Sequence, residues 1–309
     1  MGRRVLITGG AGFIGSTAAD QFLAAGWDVA ILDDLSSGKR GNVPAGARFY
    51  PIDIRSEAAV EAVKKERPQV ICHQAAQIDV RRSMADPRFD ADVNVGGLLN
   101  LLQAAVAAGS VEHVVFASSG GATYGDTEVI PTPESHPQRP VSCYGAAKAS
   151  SEIYLGVYRA NHGMKVTALR YANVYGPRQD PHGEAGVVAI FCGRLLEGKP
   201  CTIFGDGGQT RDYVFVGDVA RANVLAAEKR FDGPLNIGTG VETDVNAIHD
   251  HLARAAGVTR PAERAPARMG EQRRSCIDPR AALAAIGWRP EVAIQDGLEQ
   301  TMEYFRKLK

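Results

Sequence analysis

Tyr144 and Lys148 stand four residues apart in the run Tyr-Gly-Ala-Ala-Lys. On a helix that spacing places a phenol and an ammonium on one face. A free tyrosine, with a pKa of about 10, is a poor base at neutral pH. A lysine cation beside it favours the phenolate and brings proton abstraction from an alcohol within reach. Tyr-x-x-x-Lys also occurs on ordinary exposed helices, so the pair gains meaning only from what accompanies it.

The companion lies near the N-terminus. Gly9, Gly12 and Gly15 form a G-x-x-G-x-x-G run after the apolar stretch Arg4–Thr8, and Phe13 and Ile14 open the helical pattern that follows. Glycines there permit a tight turn and a close approach of backbone to a pyrophosphate, and the helix N-terminus offers free N–H groups. Asp33 follows the next apolar run, 18 residues after Gly15. A carboxylate at that place accepts hydrogen bonds from ribose hydroxyls and repels a 2′-phosphate, which favours NAD over NADP. Asp34 beside it leaves the choice between the two carboxylates open. Asp53, after a third short apolar run, is placed to meet the adenine ring. An oxidised nicotinamide would add a second positive charge in favour of a Tyr144 phenolate.

The elements that must hold these groups are legible from periodicity. Arg4–Thr8, Val29–Leu32, Arg48–Pro51, Val70–Cys72, Val114–Ala117 and Val166–Arg170 read as buried strands. Helical patterns at Ser16–Ala25, Val93–Ala108 and Cys143–Asn161 lie between them. This alternation predicts an α/β fold, a Rossmann-type doubly wound parallel sheet with a smaller α/β C-terminal substrate domain. The division expected is a nucleotide-binding domain over 1–171 with returns near 212–238, and a smaller domain from 172–211 and 239–309. The last segment, Asp278–Leu308, has helical character and is expected to dock on the smaller domain.

The chain has 309 residues, with 35 basic and 35 acidic side chains. A balanced charge argues against a nucleic-acid partner, which requires a basic surplus. No apolar run of about 20 residues is read from the sequence, so no membrane partner is expected. The N-terminus enters a strand pattern directly, so a cytoplasmic location is expected. Five scattered cysteines and an isolated His249/His251 pair suggest neither a disulfide framework nor a metal site.

Taken together, the blocks Gly9–Gly15, His73–Gln77, Val93–Gly96, Tyr144–Lys148 and Leu169–Pro177 resemble the extended short-chain dehydrogenase/reductase family. Within it the likeness is nearest to the UDP-glucose 4-epimerases, through Ile203–Gly207 and Arg211–Val214. The resemblance implies bound NAD and a UDP-sugar substrate. It implies that Ile54, Ala75, Ala76, Gln77, Asn94, Ser118 and Tyr171 line the cofactor, together with Tyr144 and Lys148. It further implies that Asn173, Val188, Phe204, Arg211, Arg268, Glu271 and Ser275 meet the substrate, with the arginines on the diphosphate. Family members often dimerise through helices corresponding to Val93–Ala108 and Cys143–Asn161, so a homodimer is expected.

One departure stands out. The family usually has a catalytic Ser or Thr where Gly120 stands, in Ser118-Ser119-Gly120-Gly121-Ala122-Thr123. Ser119 is the first candidate to serve instead, Ser118 the second and Thr123 the third. The related 4,6-dehydratases carry an Asp-Glu pair at the positions of Gly121 and Ala122, which can supply no proton. UDP-glucuronate epimerase or decarboxylase chemistry, or an NAD-binding sensor without turnover, remain alternatives. A small Ser275 would leave room for an N-acetylated hexose.

Overall fold

The computed structural model describes residues 2–182, 186–267 and 272–308. In chain order the first half runs β1 (Arg4–Thr8), α1 (Phe13–Ala24), β2 (Asp28–Leu32), β3 (Arg48–Tyr50), α2 (Glu57–Glu66) and β4 (Val70–His73). Then come α3 (Val80–Ala85), α4 (Pro87–Ala91), a π-helical turn (Asp92–Gly96), α5 (Gly97–Ala108), β5 (His113–Ser119), α6 (Gly120–Tyr124), α7 (Cys143–His162) and β6 (Lys165–Tyr171). The remainder comprises β7 (Asn173–Tyr175), α8 (Val187–Leu196), β8 (Thr202–Phe204), β9 (Thr210–Phe215), α9 (Val216–Lys229), β10 (Gly233–Ile237) and β11 (Glu242–Asp244). It closes with α10 (Val245–Ala256), β12 (Glu263–Ala265), β13 (Arg274–Ser275), α11 (Arg280–Ile286) and α12 (Ile294–Lys307).

Seven parallel strands form the main sheet in the order β10-β6-β5-β4-β1-β2-β3. The strands are continuous apolar runs because both faces are covered. One face packs α1 and α9 around Phe22, Ile31, Val115 and Leu235. The other packs α2, α5 and α7 around Leu6, Leu102, Phe116 and Leu155. The strand order reverses between β1 and β4, and in such sheets a ligand crevice opens beyond the strand C-termini at that switch point. The loops after both strands meet there: a Cβ on Gly9 would lie 2.6 Å from the backbone nitrogen of Ala75.

A third cluster, around Phe191, Ile203, Ile248, Leu298 and Phe305, joins α8, α10 and α12 to a four-stranded sheet built on β9, with β7, β11 and β13. The stretch Val214–Ala227 is divided accordingly: β9 belongs to this smaller sheet, and the chain rejoins the larger one through α9 and β10. The C-terminal segment is also divided, which corrects the expectation of a single docking surface. Val292 and α12 pack on the third cluster. Ala282 and Ile286 of α11, with the fully buried Trp288, pack on the α9 side of the main sheet. The Trp288 indole donates to the Asp218 carbonyl at 2.8 Å.

The helical run Pro87–Ala108 is, by length and composition, apolar enough to cross a membrane, which corrects the reading that no such run exists. In this fold one side of it packs into the core, with Leu98, Leu101, Leu102 and Ala105 buried, while over half of its apolar window is not buried.

Candidate functional site

Glycine makes the first loop possible. Gly9 adopts φ +68°, Gly12 donates its N–H to the Gly9 carbonyl at 3.1 Å, and a Cβ on Gly15 would lie 2.1 Å from that same oxygen. Gly12 caps α1 without a side chain, so the N–H groups of the first turn, from Phe13 and Ile14 onward, have no side-chain cap. This is an anion cradle at a positive helix end. Beside it, Asp33 is buried and accepts from the Ala11 N–H at 2.9 Å and the Leu35 N–H at 2.8 Å. Burial raises its pKa. Asp34 is exposed and holds Ser36 instead, so Asp33 is the carboxylate that borders the glycine loop. The bare-backbone cradle and this carboxylate fit a dinucleotide. Asp53 is held in a bidentate pair by Arg55, which also reaches Asp92 at 2.7 Å. The Ile54 side chain packs in the core against Gly97, which leaves its main chain for a ligand.

The loop after β4 carries Ala75, Ala76 and Gln77. Its shape is set by Asn94, whose amide accepts from the Gln77 N–H at 3.0 Å and donates to the Gln77 carbonyl at 3.0 Å. Asn94 sits in the π turn, fully engaged, so it shapes the cofactor-side loop from behind.

Ser142 caps α7 by accepting from the Gly145 N–H at 3.1 Å, and the Tyr144 N–H donates to Ser83 at 3.1 Å. Lys148 is buried, donates to the Ala117 carbonyl at 2.8 Å, and lies 5.8 Å from the Tyr144 ring centroid. Burial pushes its pKa down to about 8, against the opposing charges of Asp90 and Glu152. The Tyr144 phenol is pushed up, by burial first and then by Asp90. The lysine alone therefore does not produce a phenolate.

Two neighbours have hydroxyls held by other partners. Ser118 donates to Glu152 at 2.5 Å, within a buried Glu152–Arg170 ion pair of 2.6 Å, and its hydroxyl is thereby committed. The Tyr171 phenol is buried on the opposite face, bonded to Asn223 and Gln74. Strand alternation explains both, since one residue's shift along a strand moves a side chain to the other face. Ser119 caps α6, its oxygen 3.4 Å from the Ala122 nitrogen, and Thr123 donates back to the Ser119 carbonyl at 2.6 Å. Ser119 is thus the hydroxyl left at the end of β5.

The structure also accounts for Gly120. A Cβ there would lie 3.0 Å from Ile277 Cγ2 and 3.1 Å from Ile277 Cδ1. Restoring the usual hydroxyl by Gly120→Ser is expected to lower turnover at least tenfold and to destabilise the protein by about 1–3 kcal/mol through overpacking. Adding Ile277→Val, which trims the opposing side chain, should recover part of both losses. A single mutant with raised turnover and unchanged melting would refute this account.

On the smaller sheet, Asn173 is exposed on β7, Phe204 is half-buried on β8, and Arg211 is half-buried on β9. Arg211 stands opposite Ser275 of β13 in register. Ser275 Oγ would lie 3.3 Å from a Cβ on Gly121, so this strand borders the α6 loop. The Val188 side chain is buried in the third cluster. What it can offer is its main chain in the first turn of α8, whose N-cap, Gly186, has no side chain. Arg268 and Glu271 lie outside the described residues. Ile277 and Asp90 were not singled out from the sequence, because tertiary packing alone brings them to the site.

A doubly wound sheet with a glycine cradle at its switch point and a half-buried tyrosine beside a buried lysine defines an enzyme of dinucleotide-dependent redox chemistry. A model of the NAD dependent epimerase/dehydratase family matches residues 5–238, and the chain belongs to that family. It is 47% identical over 309 residues to the UDP-glucose 4-epimerase of Mycolicibacterium smegmatis, covering 98% of each chain. The structure of a UDP-glucose 4-epimerase with UDP-glucose from Thermotoga maritima matches with a TM-score of 0.96 at 46% identity, covering 99% of each chain. That of a Thermus thermophilus UDP-glucose 4-epimerase in complex with NAD matches with a TM-score of 0.93 at 48% identity, covering 98% of this chain and 99% of that one.

Proposed function

We propose that this enzyme interconverts UDP-galactose and UDP-glucose by inverting the sugar C4. The observation that carries the reading is the pairing of half-buried Tyr144 with buried Lys148, on a helix packed against α6, whose first turn, Gly120-Gly121-Ala122, holds no acid to expel a 6-hydroxyl. NAD+, held by the Gly9–Gly15 cradle and Asp33, supplies the hydride acceptor, and its positive charge opposes the burial that keeps the phenol protonated. Tyr144 takes the proton from the sugar 4-hydroxyl and later returns it. Lys148 keeps a cation beside the phenol. Arg211 can grip the diphosphate bidentately while the hexose itself is held weakly, which lets a flat 4-keto sugar present its other face. Ser119 is the hydroxyl offered to the reacting oxygen.

The test is to incubate the purified protein with UDP-galactose and no added NAD+, and to separate the products. UDP-glucose is the expected product; an unchanged substrate would overturn the reading. Including UDP-N-acetylglucosamine in the same panel reads the room left by Ser275: no turnover of it would end that refinement. Val106 on α5 and Ile153, Tyr154 and Val157 on α7 are exposed and apolar, and they support a homodimer through these helices. A monomeric mass in light scattering would refute that assembly.

A further inference from the structure

Asp90 is a charged residue with 1% of its surface exposed, at the end of α4 where that helix packs against α7. Its two oxygens differ. Oδ1 accepts from the Gln77 amide at 2.8 Å and from the Asn94 amide at 3.0 Å. Oδ2 is buried and has no hydrogen-bond partner among the described residues. A carboxylate wanted only to hold the loop after β4 could be an asparagine or glutamine, which leaves no charge to bury. A buried carboxylate oxygen without a donor is retained at a cost, and an opposite charge nearby is what offsets it.

α7 packs on α4, its Ser151 donates to the carbonyl of the same Asn94, and its buried cation is Lys148, whose charge acts on Asp90. The groups that face this region are Tyr144, Lys148 and Glu152 on α7, His73 on β4 and Arg170 on β6. Arg170 is committed to Glu152, and His73 is neutral at physiological pH, with burial pushing its pKa down to about 3. Arg81 and Arg82 on α3 are exposed, and Arg82 stacks over Phe89 at 4.0 Å. Asp92 on the π turn is paired with Arg55. Glu152 also acts on Lys148 but is held by Arg170, so among the described residues Asp90 is the carboxylate that acts on both members of the reactive pair.

We propose that Asp90 is a positioning residue, a buried counter-charge that keeps Lys148 protonated in an unsolvated site and acts directly against the phenolate of Tyr144. Electrostatics agrees: the Asp90 charge acts on both groups, favouring the ammonium and disfavouring the phenolate. Its own pKa is raised by burial, while the Gln77 amide, Lys148 and the Asn94 amide pull it back. Removing this one charge should therefore move both titrations in the same direction, toward lower pH.

The kinetic arm of the test rests on the epimerase reading, so a second arm does not. For the NAD-loaded enzyme, kcat/KM for UDP-galactose is measured against pH in wild type and Asp90→Asn, which keeps an acceptor for the two amides. Both limbs of the profile are expected to shift acidward by about one pH unit, the size a near buried charge produces. In the second arm, the phenolate absorbance of Tyr144 is titrated in both proteins, with Tyr144→Phe as the subtraction. Its midpoint is expected to fall in Asp90→Asn. Unmoved limbs and an unmoved midpoint, with a uniform drop in activity, would reduce Asp90 to a structural anchor and overturn the proposal. A shifted midpoint in a protein that does not turn over UDP-sugars would uphold Asp90 while refuting the epimerase reading. Should Asp90→Asn fail to fold, Asp90→Ser is read by the same criterion.

Discussion

Tyr144→Phe is expected to lower kcat for UDP-galactose conversion by about 10²–10⁴-fold, the range for loss of a positioned acid–base group. The change removes one oxygen and leaves the ring beside Lys148 and the main-chain bond to Ser83 in place. NAD retention and the melting temperature should therefore match wild type, and KM should move little, because the lost interaction acts in the transition state. Addition of UDP-glucose should also fail to reduce the bound nucleotide, since hydride cannot leave C4 while the hydroxyl proton has no acceptor. Turnover within threefold of wild type would remove Tyr144 from this role. Because burial raises the phenol's pKa in the cofactor-free protein, the same variant separates two sources of activation. The wild-type phenolate signal should appear at a lower pH once NAD+ is bound, and Tyr144→Phe should show no such signal.

The pattern of what was legible follows from which physical forces are local. Parallel strands buried on both faces are continuous apolar runs, so β1, β2, β4, β5 and β6 could be placed within a residue or two. The glycine loop was legible because its constraint is steric and short-range, as the contact of Gly15 with Gly9 shows. Facing was not. Ser118 and Tyr171 stand at the ends of neighbouring strands, but which layer receives each side chain depends on Glu152 and Asn223, far away in sequence. The side chains of Val188 and Ile54 face the core for the same reason, since an apolar residue next to a site and one beneath it look alike in a sequence. Gly120 looked like a missing hydroxyl, and only the packing of Ile277 against it gives the absence a cause. The helix α4 was overlooked because its five residues carry no readable period, and with it went Asp90.

Gly15→Ala is expected to abolish NAD retention, with affinity lowered at least about a hundredfold, which corresponds to about 2.7 kcal/mol. The added Cβ would lie 2.1 Å from the Gly9 carbonyl oxygen, 2.8 Å from its carbon and 3.0 Å from Gly10 Cα, all of them backbone atoms. None can yield cheaply. A Cβ on Gly9 would already meet Ala75 at 2.6 Å, and one on Gly10 would meet Ile31 at 2.6 Å, so the loop is wedged between β2 and the loop after β4. Making room must open the turn that aims the first-turn N–H groups of α1 at the pyrophosphate, and that costs affinity beyond any loss of fold stability. Nucleotide content after purification, calorimetric NAD+ binding and melting with and without NAD+ separate the two losses. The control is Gly193→Ala on α8, where a Cβ meets only Pro181 Cβ at 3.7 Å, an ordinary contact. There the helix should gain about 0.5–1 kcal/mol and NAD binding should not change. If Gly15→Ala copurified with as much NAD as this control, the cradle would not be where the dinucleotide binds, and the redox reading of Tyr144 would lose its partner.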